Sequence, residues 1–163
     1  MVTKYGHHLN SKVASCVLKG HVLDVNANHG KPLIMGVVNM SSDSWYTTSI
    51  CLSQEAAVRR AQRLSIEGAC LVDIGPESTE PGAAFASEAR QLDQLVPVVS
   101  KLAQKKILVS IETYHPAVAR GVLEAGAAVI NFTGGHSSSE EVYRIAAQNN
   151  AGVIINYHPG CDT

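Results

Sequence analysis

The sequence predicts an α/β fold built on a parallel sheet. Two observations carry that prediction. Short apolar runs of strand length alternate with stretches of 3.6-residue apolar period, the pattern of repeated strand–helix units. Each apolar run also stops at a polar side chain: residues 33–38 at Asn39, 71–72 at Asp73, 107–111 at Glu112, 129–130 at Asn131, and 153–155 at Asn156, followed by Tyr157 and His158. Strands apolar throughout read as buried on both faces, as in a parallel sheet flanked by helices. Polar groups at strand ends sit where such sheets place ligands. The repeat is compatible with an open doubly wound sheet or with part of a (β/α)8 barrel, since a whole barrel takes about 250 residues and this chain has 163.

Taken in order, residues 16–18 and 22–25 are short and β-branched, and 26–30 have turn composition, so a hairpin or short extended segment precedes the first core strand. It carries no evident chemistry and is expected to cover one end of the sheet. Residues 1–32 therefore read as an N-terminal extension and 33–163 as the sheet-bearing domain. The paired His7 and His8 at the terminus read as exposed rather than metal-binding.

After the first strand, residues 40–52 are rich in Ser and Thr, lack helical period and are long for a strand-to-helix connection, which makes them a candidate lid. Ser53 caps the next helix, whose buried face is Ala57, Val58, Ala61 and Leu64, with Gly68 as the stop. The second strand is 70–74. A loop with Pro76, Pro81, Gly75 and Gly82 follows. Ser87 then caps a helix carrying Leu92, Leu95, Val96, Val99 and Leu102. Pro97 conflicts with its interior and predicts a kink or a late start. Pro116 suits the first turn of the third helix, which buries Val118, Val122 and Leu123 and stops at Gly126. Ser138 and Glu141 form a capping box for the fourth. Right-handed crossovers are expected throughout.

The bulk composition narrows function. Net charge is −1 and aromatic content 5%, so neither a basic stripe nor a stacking platform points to nucleic acid. No apolar stretch is long enough to span a bilayer. Cys16, Cys51, Cys70 and Cys161 are isolated, without CxxC spacing, which suits a reduced, cytoplasmic protein.

Four motifs, in order, then resemble those of one family. Residues 34–45, from Ile34 through Gly36, Asn39, Asp43 and Ser44 to Trp45, resemble the first signature of dihydropteroate synthases, MGILNVTPDSF. Residues 72–83, with Asp73, Gly75, Glu77, Ser78, Thr79, Pro81 and Gly82, resemble the second, DIGGESTRPGA. Residues 109–114 resemble SVDTYK, and 130–135 resemble INDISGG. The resemblance implies a (β/α)8 barrel of which about five βα units are present, preceded by the hairpin.

It also implies a reaction. Those enzymes join para-aminobenzoate to the methylene carbon of 6-hydroxymethyl-7,8-dihydropterin pyrophosphate, with magnesium on the leaving pyrophosphate. By correspondence, Asn39 is the metal and pyrophosphate contact, and Mg2+ the cofactor. Glu112 stands where the family has a pterin-binding Asp, and Asn131 matches its pterin-binding Asn. Asp43, Ser44, Trp45, Ser78, Thr79 and Pro81 match loop positions near pyrophosphate and aminobenzoate. Asp73 matches the acidic end of the second strand and is read mainly as ordering its loop through backbone hydrogen bonds. His158 lies near the family's Met-His.

Departures from the pattern matter as well. Glu80 replaces an Arg and places a negative charge near the expected pyrophosphate, Pro76 replaces a Gly, Ser41-Ser42 replaces Thr-Pro, Glu112 is one methylene longer than Asp, and Phe132 replaces an acid. The family's later Asp, its phosphate-binding Lys and its final Arg-x-His motif would fall beyond Thr163. Residues 1–163 alone are therefore expected to bind a pterin without measurable condensation. Two other readings fit the same residues: a methyltetrahydrofolate-binding domain of a methyltransferase, and a catalytically inactive interaction subunit. In each, open barrel edges are expected to be covered by a second copy or a partner chain.

Overall fold

In the computed structural model, residues 15–24, 32–40, 49–76, 87–133 and 139–156 are described. The chain begins with β1 (Ser15–Leu18) and β2 (His21–Asp24), an antiparallel hairpin with Leu18 opposite His21. Both turn residues, Lys19 (φ 46°) and Gly20 (φ 81°), are left-handed, as a two-residue turn matching the strand twist requires.

The core follows as β3 (Met35–Asn39), α1 (Gln54–Ile66), β4 (Leu71–Gly75), α2 (Glu88–Gln104), β5 (Val109–Glu112), α3 (Pro116–Glu124), β6 (Val129–Thr133), α4 (Ser139–Gln148) and β7 (Gly152–Asn156). The sheet order is β3-β4-β5-β6-β7, and every neighbouring pair is parallel. Strands in sequence order, with no reversal, are the topology of a singly wound barrel wall. A doubly wound sheet would reverse its order at a switch point. β3 and β7 do not pair with each other, so the wall is open.

All four helices lie side by side on one face, α1 beside α2, α2 beside α3 and α3 beside α4. Their apolar stripes join alternate strand residues, including Val38, Val72, Ile74, Val109, Ile111, Ile130 and Phe132, in one buried core. Ser53 Oγ accepts from the Ala56 amide at 3.1 Å, and Ser87 Oγ from the Arg90 amide at 3.4 Å, so both expected N-caps form. Pro116 occupies the start of α3. Gly126 (φ 117°) lets the chain leave that helix in a backbone shape that side chains resist. Ser138 lies outside the described residues, so its capping box does as well.

Three expectations need correction. First, α2 does not start late at Pro97; it runs through it from Glu88 to Gln104. Proline has no N–H for the carbonyl of Asp93, four residues earlier. Gln54 Nε2, on α1, donates to that carbonyl at 2.9 Å and replaces the missing bond. Second, β3 is not buried on both faces. Gly36 and Val38 are buried under α1, but Met35 and Val37 are 39% and 41% exposed. An edge strand has a full ladder neighbour on one flank only, and among the described residues no helix covers this side of β3. β4, second in the order, is buried at all five residues. Third, the fourth expected strand does not end at Asn131, which lies two residues inside with Thr133 at the end; the second, expected to end at residue 74, ends at Gly75, two residues past Asp73.

The hairpin covers the amino-terminal end of the helix-free face, as expected. Leu18 packs with Leu71, Ala128 and Val129, residues at or next to the starts of β4 and β6. The Lys19 amide donates to the Asn150 carbonyl at 3.1 Å, and Lys19 Nζ to the Leu123 carbonyl. Gly152 fits beneath Leu18 because it lacks a Cβ, which would come within 2.6 Å of Leu18 Cδ2.

Candidate ligand site on the helix-free face

Strand side chains alternate between faces. Residues in register with one another share a face, so the ladder defines which polar groups meet. Val37 pairs with Asp73, Asp73 with Ser110, and Ser110 with Val129. One step nearer the carboxyl ends, Asn39 pairs with Gly75, and Glu112 with Asn131, which is opposite Ile154. Thr133 pairs with Asn156 one step further on. Asn39, Asp73, Ser110, Glu112, Asn131 and Asn156 therefore share the helix-free face, at the end opposite the hairpin. Asn39 and Asn131 are three strands apart, about 14 Å at ordinary strand spacing.

Within this face a hydrogen-bonded line climbs across three strands. Asn131 Nδ2, reaching over β5, donates to Asp73 Oδ2 at 3.1 Å. Asn131 Oδ1 accepts from Asn156 Nδ2 at 2.7 Å. Asp73 is buried, at 5% exposure, while Asn131 is half-buried and Asn156 exposed. The line thus runs from a carboxylate in the floor to an amide at the rim.

The Asp73 carboxyl is pushed above its ordinary value, first because burial penalises its charge. The dipoles of Ser110 and Asn131 pull the other way without cancelling that effect. Ser110 Oγ lies close enough to favour the charged Asp73 carboxyl, yet neither Ser110 Oγ nor Asp73 Oδ1 has a partner of full hydrogen-bond geometry. Two buried polar atoms without partners do not serve stability, since each costs about 1–3 kcal/mol. Such arrangements concentrate at functional sites.

Asp73 therefore has a partner that the sequence did not indicate. Among the described residues, its side chain binds Asn131. Sequence reading places Asp73 and Asn156 among the polar strand ends without a ligand role and does not single out Ser110 or Ser49. For Ser110 the signal was a lone hydroxyl inside an apolar strand, at the same parity as Glu112. For Asn156 it was the amide at the end of the fifth apolar run. Ser49 had no signal, because its partner lies across a loop. Phe132, the departure at an acidic family position, faces the helices and stacks edge-on with Tyr143 at 5.5 Å. Strand parity keeps that substitution away from the site.

At the other flank, Asn39 anchors the returning chain. Its Nδ2 donates to Ser49 Oγ at 2.6 Å, its carbonyl accepts from the Cys51 amide at 2.7 Å, and it bridges to Ile50. With the amide nitrogen committed to Ser49, the Oδ1 end is the one able to meet a cation. A single hard oxygen suits Mg2+, which keeps several waters and binds through few protein ligands plus substrate phosphates. Among the described residues, no group of three or more His, Cys, Asp or Glu side chains forms a metal cage. Asp43, Ser44, Trp45, Ser78, Thr79 and Pro81, with Glu80 and His158, lie outside the described residues.

Comparison with known proteins gives the following. The family of pterin binding enzymes matches residues 35–162. A dihydropteroate synthase of Streptococcus pyogenes serotype M1 is 32% identical over 130 residues, 79% of this chain and 49% of the relative. The dihydropteroate synthase of Yersinia pestis, solved in a sulfonamide drug complex, superposes with a TM-score of 0.76 at 34% identity, over 90% of this chain and 51% of that one. The dihydropteroate synthase of Xanthomonas albilineans, solved with 4-aminobenzoic acid, gives 0.75 at 31% identity, over 90% and 52%. The chain spans about half the length of these relatives.

Proposed function

Because the chain belongs to the pterin binding enzyme family, we propose that its helix-free face is the pterin-holding part of a dihydropteroate synthase-like site in folate biosynthesis. The observation that carries this reading is the Asp73–Asn131–Asn156 line beside Glu112. A pterin edge combines ring N–H and amino donors with carbonyl and ring-nitrogen acceptors. Carboxylates and half-buried amides are the groups that match such an edge.

In the proposed reaction the arylamine nitrogen of para-aminobenzoate attacks the pterin methylene carbon. The new C–N bond forms as the C–O bond to pyrophosphate breaks, and the amine proton passes to solvent. Glu112 and Asn131 orient the ring, and Asn39 faces the pyrophosphate end. Mg2+ bound there would neutralise charge developing on the leaving group. Asp43, Ser44, Trp45, Ser78, Thr79 and Pro81 belong to the same proposal as loop contacts to pyrophosphate and aminobenzoate. Glu80 opposes the leaving group electrostatically, so residues 1–163 are proposed to bind pterin better than they condense it.

Association and location follow as parts of this reading. Ile34, Met35, Val37 and Ile155 leave apolar surface at the open β3 and β7 edges, which supports covering by a second copy or by further polypeptide. Among the described residues no helix is long and apolar enough to cross a membrane. A cytoplasmic setting is proposed from the family's metabolic role.

Calorimetric titration tests the reading. With 6-hydroxymethyl-7,8-dihydropterin pyrophosphate, binding is expected, and Mg2+ should strengthen it. Absence of binding with and without Mg2+ would reject the pterin site. Equal affinity for a methyltetrahydrofolate, with no Mg2+ effect on the pyrophosphate, would move the function to methyl transfer.

A further inference from the structure

The Asn131 amide is held at both ends, and neither holder was identified from sequence. Asp73 Oδ2 takes one hydrogen from Nδ2, and Asn156 Nδ2 supplies one to Oδ1. An amide side chain can ordinarily rotate by half a turn and exchange its donor and acceptor ends. Here that freedom is removed chemically. A carboxylate oxygen accepts only, so the nitrogen end of Asn131 must face Asp73. Protonation of Asp73 on its partnerless Oδ1 would leave Oδ2 an acceptor and change nothing. The oxygen end then faces β7, where Asn156 meets it with an N–H. Asn131 retains one N–H and one lone pair, both on a half-buried side chain at the rim.

We propose that Asp73 and Asn156 are positioning residues that set the Asn131 amide, so that it offers one donor and one acceptor, in fixed order, to a ring edge bearing a matching acceptor and donor. The inference rests on the pterin reading for the ligand's chemical class, but the fixed amide is a property of the unliganded chain. Neither positioning residue needs to touch the ligand. Asp73 lies in the floor, one ladder step below Asn131, and acts through it. The two positioning residues also divide the task by depth: Asp73 dictates which way round the amide sits, and Asn156 holds it there from the rim.

The test combines binding with an unliganded readout. Asp73→Asn replaces an acceptor-only group by one that can present either end, so the order is no longer dictated. Asn156→Ala changes an exposed position and leaves folding secure. With 6-hydroxymethylpterin as probe, each variant is expected to weaken binding about tenfold, the effect of one misset hydrogen bond. In an Asn131→Ala background neither substitution should weaken binding further. By NMR of the unliganded protein, the two side-chain amide protons of Asn131 should be well separated in wild type and should exchange places faster in both variants. Full additive losses in the Asn131→Ala background would overturn the proposal, since both residues would then act independently of Asn131. So would an Asn131 amide signal unchanged in both variants. If wild type does not bind the probe, the pterin reading fails, and the amide signal alone decides the positioning role.

Discussion

The two faces of the five-stranded sheet are built from the same strands and do opposite work. On the covered face, Val72, Ile74, Ile111, Ile130 and Phe132 pack against the apolar stripes of four helices. On the helix-free face, the alternate residues of those strands include a buried carboxylate with a partnerless oxygen, a buried hydroxyl without a partner, and a line of two amides. One parity of a strand stores stability and the other gives some of it up for recognition. A period of two makes this division available at every strand without any change of backbone.

The comparison breaks most visibly if the covered face is opened. Ile111, fully buried beneath the helices, loses about 2–5 kcal/mol of stability on substitution by Ala, through lost transfer energy and the cavity left behind. Urea unfolding measures it. The folded fraction should bind a pterin with affinity near wild type, because the neighbouring Ser110 and Glu112 point to the other face.

Asp73→Asn sharpens the contrast from the other side. The Asp73 carboxyl is raised in the folded state by burial. Its contribution to stability is therefore full below the unfolded carboxylate value and is lost as pH rises through the elevated folded one. Wild type should lose stability across that window relative to the variant, and the variant should lose ligand. Unfolding curves for both proteins from acid to neutral pH test the sign. A variant that falls behind wild type as pH rises would contradict it.

Smaller effects belong to the covered side and its margin. Gly126→Ala meets both the left-handed backbone and the Ala103 Cβ, 2.6 Å from where the new methyl would lie. Thermal unfolding should show a loss of about 2 kcal/mol. Gln54→Ala removes the donor that Pro97 makes necessary at the Asp93 carbonyl. That bond is exposed, so water replaces much of it, and a loss of about 0.5 kcal/mol is expected by denaturant titration.

Much of this was legible beforehand because it depends on local chemistry. Ser53, Ser87 and Pro116 mark helix starts through groups that act within one turn. The five apolar runs give strands of the right order, and Asn39, Glu112 and Asn131 fall on one face because the strands keep a common parity. What escaped reading depends on contacts far apart in sequence. Gln54 rescuing a carbonyl near Pro97, Ser49 returning to Asn39, and Asn156 meeting Asn131 are each fixed by tertiary placement. The exposure of Val37 follows from being in an edge strand, a property of sheet order rather than of residue type. The bond from Asn131 to Asp73 escaped for the same reason, since the two lie two strands apart.

The most direct test of the division between faces is a backbone amide NMR titration with 6-hydroxymethylpterin. The account predicts shifts concentrated at Asp73, Ser110, Glu112, Asn131 and Asn156, with the α1–α4 core signals little changed. Shifts centred on the helices, or saturation of the probe with no response at Asn131 and Glu112, would contradict it.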